Sequence, residues 1–109
     1  MELINKISDH LKKKKTKLAV VFGSEEITYE ELRVKVNLLA SYLQEKKIRK
    51  GKIVTIFLSP SIEFVISVLA VLKTGAAYIP ISKETPLERI QKIIKSSESN
   101  LIIFNGEQQ

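Results

Sequence analysis

The sequence predicts an α/β fold, a mainly parallel sheet with helices on both of its faces. Three observations predict it. From residue 17 onward, apolar residues switch between helical periodicity and short β-rich runs, in the order strand, helix, strand, helix, strand, helix, strand counted from the opening hairpin. One of those runs, Ile53 to Leu58, is nearly continuously apolar, as expected of a strand covered on both faces, and such a series of units implies right-handed crossovers. The composition, 44% hydrophobic and 28% charged, is that of a chain able to bury a core, and 109 residues suffice for one domain of the usual size, roughly 100 to 150 residues.

The elements follow in order. Leu3, Ile4, Ile7 and Leu11 recur at helical spacing, so residues 2 to about 14 are expected to form an amphipathic helix, and residues 1–16 are assigned as N-terminal helix and basic linker ahead of the main unit, 17–109. Leu18 to Phe22 is rich in β-formers, Gly23-Ser24 supplies a turn, and Glu26-Ile27-Thr28 resumes an extended chain, which together read as a hairpin. Thr28 with Glu31 three residues on is a capping box, and Leu32, Val36, Leu39 and Leu43 form the inner stripe of a helix ending near Lys46-Lys47. Lys50-Gly51-Lys52 is a turn, Ile53 to Leu58 a strand, and Ser59-Pro60-Ser61 stops it.

From Ser61 to Lys73 apolar residues surround almost the whole helical circumference, so this helix is expected to be buried, with Gly75 as its cap. Ala76 to Pro80 is a short strand that Pro80 closes, because proline has no ladder donor. Thr85 is expected as N-cap and Pro86 in the first turn of a last helix with Leu87, Ile90, Ile93 and Ile94 inside, followed by a strand at Leu101 to Phe104.

Several function classes are disfavoured at this level. The chain has no cysteine, hence no disulfide framework, thiolate metal site or thiol nucleophile, and it suits a reducing compartment, with the cytoplasm as the default. No leader of the secretory type is visible at Met1 to Lys6, and the apolar window from Ile53 to Ile81 is broken into pieces shorter than the ~20 residues of a membrane span. The formal charge of +6 invites a nucleic-acid reading, but the one dense run, Lys12 to Lys15, has no aromatic residue within it and reads as a solvated helix end that complements the helix dipole.

Catalytic constellations are absent from the pattern. His10 is the only histidine, sits at the edge of the first helix's apolar stripe, and cannot form a zinc set without cysteine or a second histidine. Asp9, Glu25, Glu26, Glu30, Glu31, Glu63, Glu84 and Glu88 are accounted for as turn, cap, first-turn or helix-surface residues. A phosphate cradle needs closely spaced glycines, whereas Gly23, Gly51, Gly75 and Gly106 are scattered and each fits a turn or a helix stop. Tyr78 either lines a pocket or, as a mid-strand tyrosine more often does, joins the core. The candidate list is therefore empty: no catalytic, cofactor-binding or metal-binding residue is assigned.

Two ordered segments resemble a known family. Ile27-Thr28-Tyr29-Glu30-Glu31-Leu32 is similar to the first core motif of nonribosomal peptide synthetase adenylation domains, Leu-Thr-Tyr-x-Glu-Leu. Leu72-Lys73-Thr74-Gly75-Ala76-Ala77-Tyr78-Ile79-Pro80-Ile81 is similar to the second, Leu-Lys-Ala-Gly-x-Ala-Tyr-x-Pro-Ile/Leu-Asp, at the expected distance. Asn37 to Ala40, Ser61 to Val65 and Thr85 to Arg89 follow the same phrasing, so the resemblance covers roughly residues 17 to 104. It departs at Ser82, where the motif carries aspartate, and at Thr74, where alanine is usual.

The resemblance implies the N-terminal part of the adenylate-forming enzyme fold, and an activity in complete relatives that makes an aminoacyl adenylate from ATP and then loads a carrier thiol. It also implies that the phosphate loop, the adenine and ribose contacts, the amino-acid pocket and the catalytic lysine lie beyond position 109. The expectation is thus a truncated adenylation domain, inactive alone and binding no cofactor, with ATP and magnesium belonging to a complete relative. The expected partner is the remainder of such a domain, or another polypeptide, on an exposed apolar face, self-association included; nucleic acid and membrane are not expected. A noncatalytic interaction module derived from such an enzyme is the competing reading, and a soluble monomer without an exposed apolar patch would remove its motive. Nucleic-acid binding through the lysine run ranks third.

Overall fold

The computed structural model of the chain describes residues 18–22 and 24–105. The expected helix over 2–14, with His10 and the lysine run beside it, lies outside the described residues, as do Gly23 and Gly106. The elements are β1 Leu18–Phe22, β2 Glu25–Thr28, α1 Tyr29–Glu45, β3 Ile53–Phe57, α2 Ile62–Thr74, β4 Ala77–Pro80, α3 Leu87–Ser97 and β5 Leu101–Phe104.

The hairpin expected at the start is present, with β1 antiparallel to β2 and Phe22 opposite Glu25. It forms a two-stranded sheet of its own, so the parallel sheet has three strands, in the order β4-β3-β5, where the sequence pattern alone would have run the hairpin into it. The reason is geometric: α1 leaves β2 through its capping box and packs along α2, which carries the hairpin over the helices and away from the sheet edge.

At that box the Thr28 hydroxyl accepts from the Glu31 N–H at 3.1 Å, while Glu31 Oε1 accepts from the Thr28 N–H at 3.0 Å, which satisfies two of the orphan donors at the helix start. Leu32, Val36, Ala40 and Leu43 are the buried stripe of α1, with Leu39 half-buried at its flank. The helix closes without glycine. Lys47 takes a φ of 68°, its N–H donates to the Gln44 carbonyl at 3.0 Å, and the Ile48 N–H donates to the Leu43 carbonyl at 2.9 Å. This is a Schellman closure whose usual apolar contact is supplied by the buried pair Leu43 and Ile48.

β3 is central, and Val54, Thr55 and Ile56 are all buried, as a strand covered on both faces requires. α2 begins at the Ser61 cap, whose hydroxyl accepts from the Phe64 N–H at 3.1 Å, and it stops at Gly75 with a φ of 90°. Only Ile62, Ile66, Ser67, Ala70 and Val71 of α2 are fully buried; Phe64, Val65, Val68, Leu69 and Leu72 are half-buried, so the all-round burial expected of this helix is met on one side.

The start of α3 differs from expectation. Pro86, with a ψ of 147°, stands at the cap and has no side chain to accept a hydrogen bond. Pro86 is itself extended and its carbonyl accepts from the Arg89 and Ile90 N–H groups, both at 3.0 Å, so the helix starts one residue later than expected, and the Thr85 N–H donates to the Ser82 carbonyl at 3.1 Å in a turn. Nor is α3 buried: Leu87 is 69% exposed, and Ile90, Ile93 and Ile94 are half-covered. The reversal from β3→β4 to β4→β5 across the sheet puts α2 and α3 on opposite faces when both crossovers have the usual right hand.

Candidate functional site

In open parallel sheets ligands sit outside the carboxyl ends of the strands, where neighbouring connections diverge. Here β3 leads off toward β4 on one side while β5 lies on its other side, so the divergence falls between β3 and β5. A cleft of about 570 Å³ opens at that place. Its walls are Leu58 and Ser59 after β3, Ser61, Glu63, Ile66 and Ser67 on the first turns of α2, Ile103, Phe104 and Asn105 at the end of β5, with Leu39, Glu25 and Lys83 around the rim. A second cleft of about 340 Å³ adjoins it past Ser59 and Pro60, walled by Phe64, Pro80, Ile81, Ser82 and Glu84, and half-buried Lys83 lines both.

The polar groups around these clefts hold the backbone in place. The Ser61 hydroxyl caps α2 and donates to the Ser59 carbonyl at 2.9 Å, which fixes the bend leaving β3. Ser82 makes the acceptor bond that an aspartate would make in the same turn, its hydroxyl accepting from the Glu84 N–H at 3.2 Å, and it also donates to the Glu84 carboxylate, which an ionised aspartate could not do. That hydroxyl, with Glu84's own N–H, holds the Glu84 carboxyl below its ordinary value. The departure from aspartate therefore keeps the acceptor bond of the turn and adds a donor bond to Glu84. Thr74, the other departure, donates to the Val71 carbonyl at 2.6 Å and accepts from the Ala76 N–H at 3.3 Å, closing α2 with its side chain.

Glu25 and Glu63 both line the larger cleft, whereas Glu30 and Glu31 are taken up within α1. Glu30 is paired with Arg33 at 3.0 Å on the surface of α1, and Glu31 is committed to the capping box, where the Thr28 backbone N–H first and its hydroxyl second lower its pKa. Among the described residues no group of three His, Cys, Asp or Glu side chains is placed to hold a metal ion. Gly51 and Gly75 sit at φ of 94° and 90° in the turn after α1 and at the end of α2, so each is used by a turn. Tyr78 packs half-buried against the core and lines neither cleft.

The two motif segments are joined through the turn at 50–52. The Ala77 N–H donates to the Lys52 carbonyl at 3.0 Å, and the bare face of Gly75 lies against Lys50. Lys73 reaches across to Asn37, tying the end of α2 to the middle of α1. What the sequence pattern missed is the cleft wall itself: Ser59, Lys83 and Asn105 carry no motif, and the signal that could have found them is their place just past strand carboxyl ends. No helix among the described residues is long and apolar enough to cross a membrane.

Comparison with known proteins bears on this geometry. The profile of the family described as AMP-binding enzyme matches residues 7–109. Gramicidin S synthase 1 of Brevibacillus brevis is 42% identical over 95 residues, which are 87% of this chain and 9% of that protein. Tyrocidine synthase 3 of Brevibacillus parabrevis is 38% identical over 103 residues, 94% of this chain and 2% of that protein. The solved N-terminal subdomain of Klebsiella oxytoca NpsA superposes with a TM-score of 0.81 at 28% identity, over 95% of this chain and 28% of that one. The chain thus spans a small part of each.

Proposed function

The chain belongs to the AMP-binding enzyme family, and from that premise we propose that it is the opening part of an amino-acid-activating adenylation domain of nonribosomal peptide synthetase type. In the complete domain an amino acid and ATP, with magnesium, would give an aminoacyl adenylate; this segment's share is scaffolding. The observation that carries the reading is the cleft at the carboxyl ends of β3 and β5, walled by an arrangement that superposes on an adenylation subdomain. The residues here orient strand ends and helix starts toward that cleft: Ser61 through its cap, Gly75 through its left-handed turn, and Ser82 through the turn beyond β4. Cytoplasmic placement belongs to the same proposal and is supported by the cysteine-free composition.

The test is a hybrid in which residues 18–105 replace their counterpart in Gramicidin S synthase 1. Amino-acid-dependent exchange of pyrophosphate into ATP is expected from the hybrid as from its parent, and none from this chain alone. A hybrid that folds as its parent does and yet supports no exchange would refute the reading.

A further inference from the structure

We propose that the outer face of α1, where Val34, Leu38 and Tyr42 run into the cations that follow the helix, is a docking surface for an acidic amphipathic helix of a partner polypeptide. The proposal goes beyond the functional reading above and stands or falls apart from it.

α1 turns Leu32, Val36, Ala40 and Leu43 inward, and a helix with such a stripe ordinarily keeps polar residues on its opposite side. Here the opposite side is apolar as well. Val34, Leu38 and Tyr42 are 41%, 67% and 50% exposed, and their spacing of four residues stacks them one above another. They form a ladder about 12 Å long at a rise of 1.5 Å per residue. Exposed apolar side chains that adjoin mark an interaction surface where scattered ones do not, and one anchor per turn is the pattern by which a helix is read by its partner.

The charge beside the ladder decides what kind of helix fits. Lys46, Lys47 and Arg49 follow α1 directly, all three are exposed, and no carboxylate among the described residues pairs with any of them. The Lys46 ammonium lies 5.5 Å from the centre of the Tyr42 ring, so the basic end and the apolar ladder are one surface. Its complement is a helix with an apolar residue on each turn and carboxylates gathered at one end.

Other occupants meet like charge. Glu31 and Glu45 stand seven residues either side of Leu38, so a second copy of α1 packed antiparallel about Leu38 would bring these carboxylates of different copies face to face, and a parallel one would do the same with the cations. Nucleic acid or an anionic bilayer laid along the ladder would set its phosphates against Glu31 and Glu45. A helix partner can carry neutral residues over both.

The test uses the whole chain and a fluorescein-labelled synthetic helical peptide with leucine once per turn and glutamates gathered at one end, followed by fluorescence anisotropy. A peptide of the same composition in scrambled order, a single-stranded oligonucleotide and phosphatidylserine vesicles are measured beside it. Leu38→Ser removes the middle of the ladder, and Lys46→Glu with Lys47→Glu reverses the basic end. Leu87→Ser, on α3 and 69% exposed, is the control. All four positions are exposed, and circular dichroism checks that each variant is folded. The ordered peptide is expected to bind the chain, Leu38→Ser and the double charge variant each to weaken it by about tenfold or more, and Leu87→Ser to leave it unchanged.

No binding of the ordered peptide, or equal binding of the scrambled one, overturns the proposal. So does binding that falls with the charge variant and not with Leu38→Ser, because charge alone would then account for it. Oligonucleotide or vesicles bound as tightly as the ordered peptide would give the surface to nucleic acid or to a membrane. A dimer of the chain alone, seen by sedimentation, growing with concentration and broken by Leu38→Ser, would give it to a second copy and overturns the proposal too.

Discussion

The two glycines with left-handed backbone offer a controlled measurement of what holds the second motif. Gly75 has a φ of 90° and Gly51 a φ of 94°, so an L side chain at either is strained by the backbone alone. A Cβ at Gly75 would stand 3.6 Å from the Lys50 nitrogen and 3.7 Å from its Cβ, ordinary van der Waals contact, and at Gly51 it would meet nothing within 4 Å. Neither site adds a clash. The cost of Gly→Ala is then the left-handed penalty, about 1–2 kcal/mol at each position. With a urea slope of ~1 kcal/mol/M, the low end for small domains, each midpoint should fall by about 1–2 M. Urea unfolding followed by far-UV circular dichroism measures both variants, and Gly75→Asn should recover part of the loss because asparagine tolerates this region better. A Gly75→Ala cost exceeding that of Gly51→Ala by more than about 2 kcal/mol, the range of a core overpacking penalty, would refute the reasoning and show that the approach to Lys50 is tight. Two near-zero costs would refute it from the other side.

Three further outcomes follow from the same geometry. Thr55 donates to Ser99 at 2.8 Å, and Ser99 keeps a contact of 3.1 Å to the Leu101 carbonyl. Thr55→Val should therefore cost about 1 kcal/mol, whereas Ser99→Ala, which strands a buried hydroxyl, should cost about 1–3 kcal/mol, and the double variant less than the sum. On α1, Leu43 is wholly buried and Leu38 is 67% exposed, so Leu43→Ala should cost about 2–5 kcal/mol and Leu38→Ala stay within about 0.5 kcal/mol, both by urea titration. Thr28→Ala should cost about 1 kcal/mol as a lost cap. Glu31's carboxyl is lowered in the folded state, so its contribution is complete above the unfolded value near 4.5 and is lost as pH falls through the lower folded value; Glu31→Gln should flatten that acid limb of the stability profile.

The fold was legible where a local rule and a periodicity agreed. Thr28 and Glu31 announce a helix start whose bonds close within three residues, and the apolar run at β3 announces burial on both faces. Gly75 stops α2 because only glycine adopts that φ without strain. Legibility failed where a residue's role depends on a distant one. Lys47 takes a left-handed conformation that the sequence does not advertise, because the buried contact of Ile48 with Leu43 selects it. Thr85 looks like a cap, but the extended Pro86 holds that place and the Thr85 N–H turns to the Ser82 carbonyl. The half-covered sides of α2 and α3 read as core in the pattern, because apolar periodicity records which face seeks burial and not whether a partner is present.

The candidate site divides in the same way. The two motif segments were readable, and with them the family, since they serve caps, stops and turns built from neighbouring residues. The cleft was not, because Ser59, Lys83 and Asn105 meet there only after a strand order that no local residue encodes. By itself the sequence determined the alternation of elements and the N-caps of α1 and α2. The tertiary structure alone decided that the hairpin stands apart, that β3 is central, that Pro80 turns its donorless nitrogen outward, and that among the described residues no strand pairs with the outer edge of β5. Local hydrogen bonds and periodicity act over a few residues and survive in the linear text, whereas strand order and edge exposure are set by crossovers that bring residues together across 44 positions, as Thr55 and Ser99 are joined.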